Sequence, residues 1–359
     1  MKCIFVIPRM GGGGAERVLA NQANEFVANG HDVTIMTIVG GESFYDLSEK
    51  VKYISANVKI NRKSKITSMF SQMFGFFKAR AFFKKMIITE SPDIVFSQQR
   101  QADIICYSIK GAKVKFKHIC YEINDPFARR KVTQQILKKV YEKSQLLVCQ
   151  SQTVADYYNN VPNRVVIPNP INPTLIPNRE NIDGNKVVAV GRLDKQKNFS
   201  MLLDAFAQVL MTKPSAYLQI YGEGPLRESL QKKIDLLHIG KSVKLCGAKR
   251  EVLKYISNAA VFAMSSDYEG MPNALLEAMA IGLPVVCTDF ATGVAYELIG
   301  ENNGFVVPVG DSDAMAKAII DILEHPERQS VICAQSRKDT TRFYNDKIMN
   351  RWLETFENV

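Results

Sequence analysis

Acidic residues are missing from one long stretch of this sequence. Between Lys50 and Thr89 there is no Asp or Glu, while ten basic residues occur: Lys50, Lys52, Lys59, Arg62, Lys63, Lys65, Lys78, Arg80, Lys84 and Lys85. The formal net charge of the 359-residue chain is also +10, so ten minus ten leaves the remainder neutral. The basicity is a local patch, and nothing in the sequence matches a nucleic-acid motif, so no nucleic-acid partner is expected. The seven cysteines (Cys3, Cys106, Cys120, Cys149, Cys246, Cys287 and Cys333) include no CxxC pair, and there are only four histidines. Metal-ligand spacing is therefore absent, and no metal is expected. Most of the cysteines lie in apolar runs and read as small core residues in a reducing compartment. No apolar run reaches roughly 18 residues, which argues against a transmembrane helix. The opening run Cys3–Pro8 has the length of a strand and lacks the longer apolar region of a signal peptide.

What is present is an alternation of strands and helices. Residues 3–7 read as a strand, Arg9 to Gly14 as a turn, Ala15 to Asn29 as a helix stopped by Gly30, and Asp32 to Val39 as the next strand. This is a βαβ unit and the start of a parallel sheet. The glycine turn is a poor dinucleotide fingerprint, because the third glycine of G-x-G-x-x-G falls on Glu16 or Arg17. Four glycines still let a backbone approach a ligand closely. Further strands are expected at 93–97, 117–121 and 146–149, with Gln98 to Gln101 and Glu122 to Asp125 as polar loops. Five prolines between Pro162 and Pro177 interrupt the pattern and mark a domain boundary. The alternation restarts at Lys186–Val190, with a helix from Phe199 to Met211 and strands at 216–221 and 243–245. Two Rossmann-like domains with a cleft between them are the expected architecture.

The basic stretch contains a segment, 66–88, with Met69, Phe70, Met73, Phe74, Phe76, Phe77, Phe82, Phe83 and Met86 at broadly helical spacing. One reading is a core-packing helix with a solvated basic face. The other is a helix lying on an anionic leaflet, or one holding a lipid diphosphate, through Lys78, Arg80, Lys84 and Lys85.

The richest stretch runs from Ser265 to Ala280. It follows the apolar run Ala259–Met264, which reads as a buried strand. Pro272 suits a first helical turn, and Gly282–Leu283–Pro284 stops the helix. Glu269 then lies in a loop at the carboxyl end of a strand, and Glu277 on the helix leaving it. Open α/β sheets bind ligands at that place. The amides from Gly270 to Asn273 suit an anion.

Together these residues resemble the retaining glycosyltransferases of family 4, which have the GT-B fold. The resemblance is carried by the Glu269/Glu277 pair with its Glu-Gly-x-Pro, and by Gly191–Arg192–Leu193 with Lys197–Asn198. Gly13–Gly14–Ala15–Glu16 and Asn303 to Pro308 add to it. It runs from the glycine loop to about residue 311 and on to the final helix. It implies an α/β protein of two Rossmann-like domains whose parallel sheets face a central cleft. The implied divisions are an acceptor-binding domain over 1–165, a linker over 166–184, a nucleotide-sugar domain over 185–335, and a C-terminal helix, 336–359, returning to the first domain.

The resemblance also implies roles. Arg192 and Lys197 hold the donor diphosphate, aided by the amides near Gly270, Met271, Pro272 and Asn273. Glu277 binds the ribose, Glu269 lies at the donor sugar, Lys249 lies by the base, and Gly13 and Gly14 close on the donor. Glu297 matches a further family position, read here as structural or capping. Relatives place a histidine or aspartate after the strand at 117–121. Here Glu122 and Ile123 stand there, so Glu122 is expected on the acceptor side, with Asp125 as its alternative. His118, inside the strand, reads as core. The implied activity needs no cofactor. A hexose or N-acetylhexosamine moves, with retention, from a UDP-sugar to a lipid-linked oligosaccharide or polysaccharide in bacterial cell-surface glycan synthesis, such as capsule or O-antigen. The implied location is the cytoplasmic side of the inner membrane, held peripherally. The rival is a non-catalytic, membrane-associated scaffold that keeps the nucleotide site; an epimerase or phosphorylase is disfavoured.

Overall fold

The computed structural model describes residues 1–59, 65–111, 114–300 and 302–359, with only the backbone of 65–70. Arg62 and Lys63, and the side chains of Lys65, Met69 and Phe70, lie outside the described residues. The chain forms two compact units: Met1–Asn169 together with Ile348–Val359, and Pro170–Lys347.

The first unit begins with β1 (Lys2–Ile7), α1 (Gly14–Ala28), β2 (Asp32–Thr37), β3 (Lys52–Ser55) and α2 (Lys65–Glu90). It continues with β4 (Ile94–Gln98), α3 (Arg100–Ile109), β5 (Lys117–Glu122), α4 (Lys131–Glu142), β6 (Leu146–Cys149), α5 (Gln152–Tyr157) and β7 (Arg164–Val166). Its seven strands pair in parallel in the order β3-β2-β1-β4-β5-β6-β7. β1 is apolar throughout because helices cover both faces of a parallel sheet. Cys3, Phe5 and Ile7 pack with Leu19 and Phe26 of α1 on one face, and Ile4 and Val6 with Phe83 of α2 and Ile105 of α3 on the other.

The second unit contains β8 (Asp183–Val190), α6 (Phe199–Thr212), β9 (Tyr217–Tyr221), α7 (Arg227–Leu236), β10 (Val243–Gly247), α8 (Val252–Ile256) and β11 (Ala259–Met264). Then come α9 (Asn273–Ile281), β12 (Val285–Thr288), α10 (Val294–Leu298), β13 (Gly304–Val307), α11 (Ser312–Glu324) and α12 (Gln329–Thr340). The six strands are parallel, in the order β10-β9-β8-β11-β12-β13. Both sheets reverse their winding once, between β1 and β4 and between β8 and β11. Those are the switch points at which such sheets open a crevice.

The last helix, α13 (Asn345–Glu357), places its apolar stripe in the first unit. Trp352 is 1% exposed and meets Phe96 and Tyr121 at ring distances of 5.3 and 5.0 Å. α2 buries a stripe spaced by four, Ala79, Phe83 and Ile87, so one face of it is core. Gly75 is required there, since a Cβ would stand 2.6 Å from Val58 Cγ1. The opposite side leaves Met73, Phe74 and Phe77 exposed.

Two local expectations change. The polar loop expected over Gln98–Gln101 shrinks to a single residue, Gln99, whose φ of 71° turns the chain directly from β4 into α3. Pro272 does not occupy the first helical turn; it is the N-cap, and α9 starts at Asn273.

Candidate active site

The β8–α6 and β11–α9 loops flank the second switch point and are bonded to each other. Asp267 N donates to Gln196 O at 2.8 Å, Ser265 Oγ to Lys197 O at 2.8 Å, and Asn198 Nδ2 to Asp267 Oδ1 at 2.7 Å. Asn198 also caps α6 from a left-handed backbone (φ 40°), a conformation asparagine tolerates better than most residues. The β9–α7 loop supports this pair from the other side. Gly222 (φ 149°) and Gly224 lie so close to Gly191 and Leu193 that neither could carry a side chain.

Within this frame Lys197 and Glu269 form an ion pair, with side chains 17% and 9% exposed. Ser266 Oγ donates to Glu269 Oε1 at 2.7 Å, and Gln196 Nε2 reaches Oε2 at 3.3 Å. Thr292 Oγ1 fixes the backbone by donating to Glu269 O at 3.0 Å, while Thr288 Oγ1 donates to Ser266 O at 2.6 Å. Glu269 is thus held from both ends by buried hydroxyls. Arg192, on the same loop as Lys197, pairs with Asp194 and keeps a side chain 62% exposed. Gly270, Met271 and Pro272 are buried between Glu269 and the start of α9, and Asn273 opens that helix. Glu277 lies one turn further along α9 and is partly buried. Lys249 follows β10 at the sheet edge and lies over the Tyr255 ring at 5.6 Å. The second unit therefore gathers Arg192, Lys197, Glu269 and the α9 start by the second switch point: two cations, a carboxylate and the positive end of a helix.

Sequence reading missed Gln196, Ser266, Thr288 and Thr292. Ser266 stood in the stretch singled out, but nothing distinguishes a supporting hydroxyl from a surface serine without the fold.

The first unit places Glu122 differently from an open acceptor-side carboxylate. It ends β5, is 2% exposed, and both its oxygens are occupied. Oε1 accepts from Asn124 N (3.1 Å) and Arg129 Nη2 (2.6 Å); Oε2 accepts from Arg129 Nη1, Tyr141 Oη (3.1 Å) and Tyr158 Oη (2.9 Å). Burial opposes the charge of Arg129, but Glu122 outweighs it and the guanidinium holds its proton more tightly than usual. Asp125 is also buried; Phe127 N donates to its Oδ1 at 2.7 Å, and burial raises its pKa. His118 is fully buried, with Nε2 2.9 Å from Ser97 Oγ, and its pKa falls to about 3 through burial and, second, the Lys110 charge. Gly13 caps α1 and its carbonyl accepts from Tyr45 Oη at 3.0 Å; a side chain at Gly13 would collide with Glu16. Gly14 is the first residue of α1. On α2, Lys84 and Lys85 are exposed, Lys78 is exposed with Nζ on Asn57 O (3.0 Å), and Arg80 is tied to Ser108 of α3 (3.2 and 2.9 Å).

Two family models match the chain in succession over residues 12–339. Glycosyltransferase Family 4 covers residues 12–175 and Glycosyl transferases group 1 covers 174–339. Among curated proteins, the chain is 26% identical to GalNAc-alpha-(1->4)-GalNAc-alpha-(1->3)-diNAcBac-PP-undecaprenol alpha-1,4-N-acetyl-D-galactosaminyltransferase of Campylobacter jejuni, over 100% of this chain and 99% of that protein. It is 25% identical to the amylovoran biosynthesis glycosyltransferase AmsD of Erwinia amylovora, over 95% of each. Among solved structures, sucrose-phosphate synthase from Thermosynechococcus elongatus superposes with a TM-score of 0.86 at 18% identity, covering 99% of this chain and 98% of that one. Anabaena HepE in complex with UDP and glucose gives 0.80 at 17% identity over 100% of both. Those structural likenesses establish the GT-B fold. With the two family models matched in succession over residues 12–339, the chain belongs to glycosyltransferase family 4.

Proposed function

We propose that this protein transfers a hexose or N-acetylhexosamine, with retention of configuration, from a UDP-linked donor to a lipid-linked oligosaccharide or polysaccharide acceptor in bacterial cell-surface glycan synthesis. The observation that carries this is the convergence of Arg192, Lys197, Glu269 and the start of α9 at the second unit's switch point. As the sugar C1–O bond to the diphosphate breaks, negative charge grows on the leaving oxygen. Arg192, Lys197 and the α9 amides are fixed positive groups for that charge, so the reading needs no metal. A new C1–O bond forms to the acceptor hydroxyl, whose proton passes to the departing phosphate. Glu269 stands at the donor sugar and Glu277 at the ribose. The roles implied for Gly13, Gly14, Lys249, Gly270, Met271, Pro272 and Asn273 belong to the same proposal.

The acceptor class is supported by the Campylobacter relative, whose name specifies a glycan on diphospho-undecaprenol, and by the amylovoran enzyme. The donor class is supported by the UDP complex of HepE. Among the described residues no helix is long and apolar enough to cross a membrane. The exposed Met73, Phe74 and Phe77, with Lys78, Lys84 and Lys85 on the same helix, suit peripheral attachment to an anionic leaflet.

The test is product analysis with a panel of UDP- and GDP-sugars and bacterial lipid extract, with and without EDTA. Transfer from a UDP-sugar, unaffected by EDTA and with an α-linked donor giving an α-linked product, is expected. Absence of transfer from every donor by folded protein would refute the reading.

A further inference from the structure

The first unit carries a cavity that the donor chemistry does not use. Its volume is about 320 Å3, and Pro8, Gln99, Arg100, Gln101, Asn124 and Arg129 line it. These residues follow β1, β4 and β5, so the cavity lies at the carboxyl ends of the strands flanking the first switch point. Two guanidinium groups and three amide side chains face it, and no carboxylate is among its lining residues. Arg100 has no hydrogen-bond or ion-pair partner among the described residues. Arg129 presents its edge differently. Its two terminal nitrogens are committed to Glu122, with Nη1 also 3.3 Å from Tyr158 Oη, leaving Nε without a partner among the described residues. Glu122, behind it, is saturated and screened from the cavity by the arginine it holds.

We propose that this cavity binds a phosphate-bearing group of the acceptor, gripped by Arg100 and Arg129, with Glu122 as the positioning residue of Arg129. The inference rests on the transferase reading above and adds the chemistry of the acceptor to it. The guanidinium fork of Arg100 matches two oxygens of a phosphate, the Nε–H of Arg129 can reach a third, and amide side chains can turn their donor end to it. The opposite balance, a wall with free carboxylates, would repel such a group. Two sources share this chemistry: the diphosphate joining a glycan to its lipid carrier, and a phosphate on the glycan itself.

The test uses the full chain in calorimetric titrations. UDP is added first, which reports the donor site and tests the transferase reading separately. With UDP saturating, inorganic diphosphate is expected to bind still, and Arg100→Gln to weaken it by about tenfold or more, the scale of one charged hydrogen bond. A short-chain prenyl diphosphate and a sugar 1-phosphate then separate the two sources by which competes better. In acceptor kinetics, Glu122→Gln is expected to raise KM while keeping kcat and its pH profile; a proton-accepting role would lower kcat and shift the acid limb. Should Glu122→Gln fail to fold, Tyr158→Phe removes one bond to Glu122 and is expected to move KM the same way by less. Undetectable diphosphate binding in the presence of bound UDP, or equal binding by Arg100→Gln and the parent, overturns the proposal.

Discussion

Each unit holds an acid–base pair near the carboxyl ends of its strands, and the two pairs differ in how much of the acid is left over. In the first unit Glu122 is 2% exposed and takes five donors, two of them from Arg129. In the second, Glu269 takes Lys197, Ser266 and a longer contact from Gln196, at the open end of the sheet. A carboxylate with every lone pair engaged is a structural post; one held by a movable ammonium can exchange partners when a ligand arrives. The same residue type thus meets different surroundings beyond two parallel sheets: tyrosines and an arginine around Glu122, hydroxyls and a lysine around Glu269.

Breaking the buried pair should have the largest effect. Arg129→Met strands a buried charge and is expected to cost about 3–5 kcal/mol. In a unit of about 180 residues that lowers Tm by about 6–20 °C, read by thermal melting. A change under about 2 °C would erase the distinction between the two pairs. Breaking the second pair should act on rate first. Lys197→Met or Glu269→Gln is expected to lower transfer by about two to three orders of magnitude, with a smaller fall in Tm than Arg129→Met gives, because Glu269 keeps its bond from Ser266. Reversing Lys78, Lys84 and Lys85 to Glu should reduce binding to anionic vesicles by about 3 kcal/mol or more, at roughly 1 kcal/mol per cation, and salt should mimic the loss. Arg80 is better left in place, since it staples α2 to Ser108. Ser266→Ala removes one bond to Glu269 and should cost about 1 kcal/mol in kcat/KM, read by steady-state kinetics.

The smallest effect concerns pH. His118 stays neutral in the folded chain down to about pH 3 because burial, then the Lys110 charge, opposes its protonation. An unfolded histidine takes its proton near pH 6.5, so the unfolded chain binds more protons between those values. Stability from this source is complete above pH 6.5 and is lost progressively as pH falls toward 3. His118→Asn should therefore flatten the acid side of the Tm–pH curve relative to the parent. Asp103, whose pKa burial raises, pushes the other way; it shares the Ser97 hydroxyl with His118, so Asp103→Asn is the companion variant that separates the two.

The alternating sheets were legible because buried parallel strands such as Cys3–Ile7 and Ala259–Met264 are continuous apolar runs between turn residues. β3, β7, β12 and β13 were not. β3 and β7 are edge strands of four and three residues, only partly buried, and carry no such run; β12 and β13 have four residues each, too few for a run to stand out. The crevice of the second unit was legible because Arg192, Lys197 and Glu269 stand in compact motifs tied to strand ends. The Glu122 cluster was not. Its partners Arg129, Tyr141 and Tyr158 come from separate elements, and only the folded sheet shows that they converge on one carboxylate. The helix at 66–88 was readable as a helix, but both of its readings hold in part. Phe83 is core, whereas Phe74, three-quarters exposed, is not.

The placement of Trp352 has a consequence for the order of synthesis. Phe5, Phe26 and Phe96 all pack against Phe356, and Phe96 also meets Trp352, so the first unit's core is closed by residues translated after the whole second unit. A nascent chain carrying only residues 1–169 holds an uncovered aromatic floor on its sheet while the whole second unit is still being made. Domains usually mature in the order they leave the ribosome. Here the first unit can be completed only after the second has been translated, because its closing helix follows that unit in the chain.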